Sequence, residues 1–71
     1  MVYTQALYWD DSFAIARKLN EIYSDEKLEG VSLDDIYNWT LDLEGFKDEP
    51  SLANDNILSS IFNEWLEITL D

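Results

Sequence analysis

The segment from Asn54 to Glu67, NDNILSSIFNEWLE, carries the strongest structural pattern in the chain. Its apolar residues recur at i, i+1, i+4, i+5, i+8 and i+9, the spacing that gives an α-helix a broad apolar face. The residues on this face are Ile57, Leu58, Ile61, Phe62, Trp65 and Leu66. A helix with so wide an apolar face needs two partners to bury it, so the pattern predicts a helical core built around this segment.

A helical period also marks the segment WDDSFAIARKLNEIY, near the start of the chain. Ile15, Leu19 and Ile22 lie at i, i+4 and i+7, which places them on one face. The preceding residues 10–12 (DDS) can accept hydrogen bonds from the free N–H groups of a first turn, and their charge complements its positive end. The pattern predicts an amphipathic first helix with acidic N-terminal caps.

A shorter helix is predicted within the segment LDDIYNWTLDLEG. Its apolar face is formed by Ile36, Trp39, Thr40 and Leu43, at i, i+3, i+4 and i+7. The predicted start is Asp34, with Ser32 as a competing N-cap, and the predicted end is Leu43 or Glu44. Gly45 is placed to stop the helix in a left-handed conformation.

The stretches between the helices complete the expected fold. Residues 31–33 (VSL) are predicted to form a short extended segment. KDEP is predicted to form a loop, because Pro50 disfavours helical geometry at Glu49. We therefore expect a mainly α fold, a small three-helix domain with at most a short extended segment at 31–33. Residues 1–71 are assigned to a single domain, since no linker, repeat or low-complexity tract interrupts them.

The chain has neither Cys nor His. This excludes disulfides, thiolate nucleophiles, zinc sites of the usual ligand types and the side chain that most often performs acid–base catalysis near neutral pH. A domain of 71 residues also offers little room for a catalytic cleft. We therefore expect a protein that is not an enzyme. Because the sequence shows no signal peptide and no long apolar run, we expect it in the cytoplasm.

The charge balance constrains the choice of partners. Sixteen Asp and Glu residues stand against four Lys and Arg, for a net charge of -12. Such a surface repels nucleic-acid phosphates and anionic lipids, and it attracts cations and basic protein surfaces over about 8 Å at physiological salt. We expect a basic protein partner, no nucleic acid or membrane partner, and a monomer, because like-charged copies repel each other.

A site for a hard cation is the chemical option that the carboxylates leave open. Oxygen ligands suit magnesium, calcium, manganese and ferrous iron, and a site without His or Cys binds them weakly. The candidate pairs are Asp34 with Asp35, Asp48 with Glu49, and Asp10 with Asp11. Each pair has an alternative interpretation as the solvated end of a helix or part of a loop.

Four ordered motifs give the chain a resemblance to a known family. They are Trp-(Thr/Asp)-Asp-Ser at Trp9–Ser12, Trp-x-x-Asp-Leu at Trp39–Leu43, Phe-x-Asp-(Asp/Glu)-Pro at Phe46–Pro50, and Asn-(Glu/Asp)-x-Ile-Leu at Asn54–Leu58, leading to Trp65. In this order and at this spacing, over Leu7 to Glu67, the chain resembles the IscX family, the small acidic accessory proteins of bacterial iron-sulphur cluster assembly.

The resemblance implies a fold and a role. The fold would be like a modified winged helix, and the acidic face would bind a basic patch on the cysteine desulfurase that supplies sulphur. Weak binding of iron and regulation of cluster assembly are implied as well, together with competition against frataxin and ferredoxin for the desulfurase. Although winged helices often bind DNA, a net charge of -12 cannot gain affinity by releasing counterions from a phosphate backbone.

The favoured interpretation is a non-enzymatic adaptor that docks its acids on the desulfurase and has no tightly bound cofactor. The residues assigned to docking are Asp34, Asp35, Asp42, Glu44, Asp48 and Glu49, with Glu64 and Glu67 as a second patch. The residues assigned to weak binding of ferrous iron are Asp34, Asp35, Asp48 and Glu49. Two alternatives remain open: an iron donor to the cluster scaffold, and an acidic mimic of nucleic acid.

Overall fold

The computed structural model describes residues 6–70, which form three α-helices. They are α1 (Ser12–Ile22), α2 (Leu33–Leu41) and α3 (Asp55–Leu70). One turn of 3-10 helix lies in each connection, at Leu28–Gly30 and Pro50–Leu52. The prediction of a mainly α, three-helix domain is therefore confirmed.

The helix α3 is the centre of the packing, as its broad apolar face predicts. It packs against both α1 and α2, whereas α1 and α2 contact each other only lightly. It begins one residue after the predicted Asn54, whose Oδ1 accepts a hydrogen bond from the Ile57 N–H at 2.9 Å. The buried apolar core consists of Leu7, Trp9, Ile15, Ala16, Leu19, Ile36, Leu43, Leu58, Ile61 and Trp65.

The start of α2 differs by one residue from the predicted Asp34, because Ser32 is the N-cap. The Ser32 hydroxyl accepts a hydrogen bond from the Asp35 N–H, and the Asp35 carboxylate accepts one from the Ser32 N–H, each at 3.1 Å. This reciprocal pair is a capping box. Val31 and Ser32 are extended, but Leu33 is already helical. The predicted extended segment at 31–33 is therefore one residue too long.

The end of α2 lies at Leu41, two residues before the predicted Leu43. The Leu43 N–H donates to the Thr40 carbonyl at 3.0 Å, so the chain tightens into a turn there. Gly45 follows with φ 92°, the left-handed conformation expected of a helix stop. Phe46 then returns to the core, as its position after the glycine suggests.

The acids before α1 do not cap it in the predicted way. Asp11 occupies the N-cap position, but its side chain makes no capping bond. Its Oδ2 instead accepts a hydrogen bond from the Tyr8 N–H at 3.1 Å, while the Asp11 N–H donates to the Tyr8 carbonyl at 2.9 Å. The carboxylate thus stabilises the turn that leads into α1.

Extended backbone plays a small part in the described residues. Between positions 6 and 70, the paired extended backbone is limited to one parallel bridge, between Leu7 and Phe46. The three helices that were expected are present. The likeness to a modified winged helix stays a prediction.

An aromatic cluster of Tyr23, Trp39 and Trp65 joins the three helices. The Tyr23 ring, just after α1, stacks on Trp39 of α2 with centroids 4.4 Å apart. Trp39 in turn meets the edge of Trp65 of α3 at 6.2 Å. Because Trp65 is 1% exposed and Trp39 is half-buried, both serve the core, as their places on the apolar faces predict.

One buried polar atom in this core is without a partner. Thr40 is fully buried on α2, and its Oγ1 makes no hydrogen bond to any residue between 6 and 70. Thr40→Val removes the unsatisfied hydroxyl at nearly constant shape, so we expect the free energy of unfolding to rise by about 1 kcal/mol in urea denaturation. Thr69→Val is the control, because Thr69 is exposed and its Oγ1 donates to the Leu66 carbonyl at 2.9 Å. An unchanged or lower stability of Thr40→Val would contradict the absence of a partner.

Candidate acidic docking surface

The eight acids predicted for docking lie in three parts of the fold. Four lie on or just after α2, two lie in the loop after Phe46, and two lie on the last turns of α3. In that order they are Asp34, Asp35, Asp42 and Glu44; Asp48 and Glu49; and Glu64 and Glu67.

The outward side of α2 presents two of these acids to solvent. Asp34, Asn38 and Asp42 are exposed at i, i+4 and i+8, so they follow one side of the helix and its C-cap. Asp35 is half-buried, and its carboxylate is engaged in the capping box with Ser32. Within positions 6–70, the carboxylates of Asp34 and Asp42 therefore make no hydrogen bond or ion pair, while that of Asp35 stabilises the helix start.

Asp42 and Glu44 lie where the helix dipole is unfavourable to them. The C-terminal end of α2 carries partial negative charge, and its last turn has no basic residue. Among residues 6–70, the single ion pair within 4 Å joins Lys18 to Glu21 on α1, at 3.9 Å. The acids near the end of α2 thus have no cation from the described residues within 4 Å to offset their repulsion.

The loop acids are held by the segment just before α1. Oδ2 of Asp48 accepts a hydrogen bond from the Trp9 N–H at 2.9 Å, and its Oδ1 accepts one from the Glu49 N–H at 2.8 Å. The Trp9 indole Nε1–H donates to the Glu49 carbonyl at 2.7 Å. Asp48 is therefore engaged within the protein, whereas the Glu49 side chain is exposed.

The same tryptophan places this loop beside α2. Its ring stacks on Tyr37 of α2, with centroids 6.0 Å apart and planes 5° from parallel, and it meets the edge of Phe46 at 4.7 Å. Asp34 precedes Tyr37 by three residues, so the two are neighbours on the helix surface. Asp34, by its position on the helix, and the Glu49 backbone, by its bond to the Trp9 indole, are therefore both adjacent to one aromatic cluster, Trp9, Tyr37 and Phe46.

The second predicted patch lies on another helix. Glu64 is half-buried and Glu67 is exposed, both on α3. Among residues 6–70, no hydrogen bond or ion pair links either of them to the acids of α2 or the loop. The name "docking surface" below therefore refers to five acids: Asp34, Asp42, Glu44, Asp48 and Glu49. Glu64 and Glu67 are not included in it.

The described residues do not gather the ligands of a strong metal site. Between positions 6 and 70, no group of three or more Asp or Glu is placed to hold one ion. Asp35, Asp48 and Asp11 also use their carboxylates for hydrogen bonds to backbone N–H groups. An ion at any predicted pair would depend on two carboxylates and water, which is compatible only with weak binding.

A shallow cavity of about 250 Å³ lies away from the predicted acids, beside α1. Leu7, Ala14, Arg17, Lys18 and Glu21 line it. Its lining includes one carboxylate, Glu21, so it does not provide the pair of acids that a glycoside hydrolase uses. In the part of the chain that the structure describes, no helix is long and apolar enough to cross a bilayer.

The contacts of Trp9 with the loop are the feature that sequence reasoning missed. The sequence suggests that Trp9 holds the start of α1 to the core, and the ring is indeed 3% exposed. Its bonds to Asp48 and Glu49 span about forty positions, and helical periodicity carries no information about such a pair. The available signal was Pro50, which keeps the preceding residues out of a helix and in a loop.

Comparison with known proteins identifies the family of the chain. The model of the family described as "Iron-sulphur cluster assembly" matches residues 7–69. An uncharacterized protein of Pseudomonas aeruginosa is 29% identical over 62 residues, which cover 87% of this chain and 94% of that protein. The match covers α1, α2 and all of α3 except Leu70, together with Trp9, Tyr37 and Phe46. The chain therefore belongs to the IscX family of iron-sulphur cluster assembly proteins.

Proposed function

We propose that the protein is a non-enzymatic adaptor that docks on a cysteine desulfurase and regulates the supply of sulphur for cluster assembly. The observation that carries this proposal is the docking surface. Its exposed acids follow one side of α2 and continue past a helix end where charge and dipole repel. A basic surface on the partner would relieve that repulsion and fix the orientation of the complex.

The partner class follows from the family and from charge. Iron-sulphur cluster assembly is the activity of the family, and a desulfurase with a basic patch is the component that the resemblance implies. Competition with frataxin and ferredoxin follows if the acids occupy a surface that those proteins share. The expected oligomeric state is a monomer, because copies with a net charge of -12 repel each other. The expected location is the cytoplasm.

Calorimetry with the desulfurase of the same organism, at low and at high salt, tests the docking. We expect binding in the micromolar range at low salt and a clear loss of affinity at high salt, since screening shortens the reach of exposed charges. A matched titration with a DNA-binding protein of similar net positive charge tests the alternative of a nucleic-acid mimic. Equal affinity for both proteins, or binding to the DNA-binding protein alone, would contradict the proposal.

Ferrous iron is proposed as a low-affinity ligand of Asp34, Asp35, Asp48 and Glu49. The carboxylate pairs supply oxygen ligands only, and two of the four acids already accept backbone hydrogen bonds. We therefore expect an anaerobic iron titration to give weak binding that excess magnesium removes. The test variant is Asp34→Asn with Glu49→Gln, which should weaken this binding, and its control is Asp25→Asn with Glu26→Gln, since each pair removes two exposed acids.

The alternative role, an iron donor to the cluster scaffold, makes a different prediction. A donor requires stoichiometric iron binding that survives physiological salt and excess magnesium. Such binding would overturn the weak-ligand proposal and favour the donor role.

A further inference from the structure

Trp9 is joined to the loop part of the docking surface by two hydrogen bonds. Its backbone N–H binds Asp48, and its indole N–H binds the Glu49 carbonyl. Two more bonds tie the same chain segments together: the Leu7 N–H donates to the Gly45 carbonyl and the Lys47 N–H donates to the Leu7 carbonyl, each at 2.9 Å. The loop that carries Glu49 is thus fixed by four hydrogen bonds to residues 7–9, and two of them come from Trp9.

The Trp9 ring completes the connection on the side of α2. The ring stacks on Tyr37, and Asp34 lies three residues before Tyr37 on the helix surface. Trp9 itself is 3% exposed, so it cannot offer a large contact area to a partner. Its effect on docking must therefore act through the positions of the acids around it.

We propose that Trp9 is a positioning residue of the docking surface, an inference that rests on the proposed function. It holds the loop of Asp48 and Glu49 against α2, so that both sets of acids meet a partner in one geometry. A surface that is ordered before binding avoids the entropy cost of ordering in the complex. Loss of this order shortens the life of the complex, whereas the encounter rate depends on the long-range field of the exposed charges, which a local loss of order changes little.

Trp9→Phe tests the inference, because it keeps an aromatic ring in the core and leaves the charge unchanged while it removes the indole N–H. We expect the dissociation rate constant of the desulfurase complex to rise about three- to ten-fold, the range of one neutral hydrogen bond. The association rate constant should stay within about two-fold. The control is Trp39→Phe, which makes the same change in the other aromatic cluster, away from the loop. Equal rises in dissociation rate for both variants would overturn the inference, since that result marks a general loss of stability.

Amide hydrogen exchange of the free protein provides a readout that does not need the partner. We expect the backbone amides of Lys47 and of residue 9 to exchange at least about three-fold faster in Trp9→Phe than in the unaltered protein. Trp39→Phe should change their exchange little. Unchanged exchange at both amides would overturn the inference even if docking is confirmed. If the unaltered protein does not bind the desulfurase, the proposed function is wrong. Faster amide exchange in Trp9→Phe would in that case still show that Trp9 orders the loop.

Discussion

Trp65→Ala is expected to lower the free energy of unfolding by about 3–5 kcal/mol, which is about a third of the total or more. Trp65 is 1% exposed at the centre of α3, where its ring meets Trp39 and its Nε1–H donates to Oδ1 of Asn20 at 3.2 Å. Truncation of a buried Trp costs about 3–5 kcal/mol. A domain of 71 residues has a total stability of roughly 4–10 kcal/mol. One substitution thus removes contacts to both other helices in a domain with little stability to lose.

Urea denaturation followed by circular dichroism measures this loss. The control is Phe13→Ala, which truncates another aromatic residue that is 54% exposed on α1. We expect Phe13→Ala to lower the free energy of unfolding by less than about 1 kcal/mol, since substitutions of exposed residues have small effects. Similar losses from both variants would mean that α3 is not the centre of the core.

Local sequence patterns predict the helical fold because the helical period is local information. The i, i+3, i+7 spacing of Leu58, Ile61 and Trp65 requires no knowledge of the rest of the chain, and α3 lies where this spacing places it. Gly45 similarly predicts its own left-handed conformation, because few other residues adopt it without strain.

The ends of α2 were less predictable because two residues could serve as its cap. Ser32 and Asp34 are both good N-caps, and only the position of Asp35 decides between them by completing the capping box. At the other end, the apolar period continues to Leu43, which is 6% exposed, although the helix has ended at Leu41. Burial of Leu43 in a turn satisfies the same apolar pattern, so the period alone cannot locate the end.

The candidate site is predictable in composition but not in geometry. The sequence identifies the acids, yet it cannot tell that Asp48 accepts two backbone hydrogen bonds while Asp34 is free. One of these two bonds comes from Trp9, which is distant from the loop in sequence but adjacent to it in the fold.

Asp34→Lys combined with Asp42→Lys is expected to slow association with the desulfurase about ten-fold at low salt. Both side chains are exposed on the outward side of α2, and neither carboxylate makes a hydrogen bond or ion pair with another residue between 6 and 70. The two substitutions together should also have a small net effect on the stability of α2. A lysine is unfavourable at the N-terminal end of α2 and favourable at its C-terminal end, so the two effects on stability oppose each other.

Reversal of Asp35 would be a poorer choice for this purpose. Its carboxylate belongs to the capping box, so Asp35→Lys would weaken α2 as well as change the charge. The matched control is Asp25→Lys with Glu26→Lys, which changes the net charge equally in the exposed turn after α1. A difference between the two double variants therefore reports where the charge lies.

The most direct measurement is the association rate constant of these two variants and the unaltered protein, by stopped-flow at several salt concentrations. The account predicts that Asp34→Lys with Asp42→Lys slows association and flattens its salt dependence, while the control changes both much less. Equal slowing by both variants would show that net charge alone steers the encounter. No slowing by either variant would contradict the assignment of docking to α2.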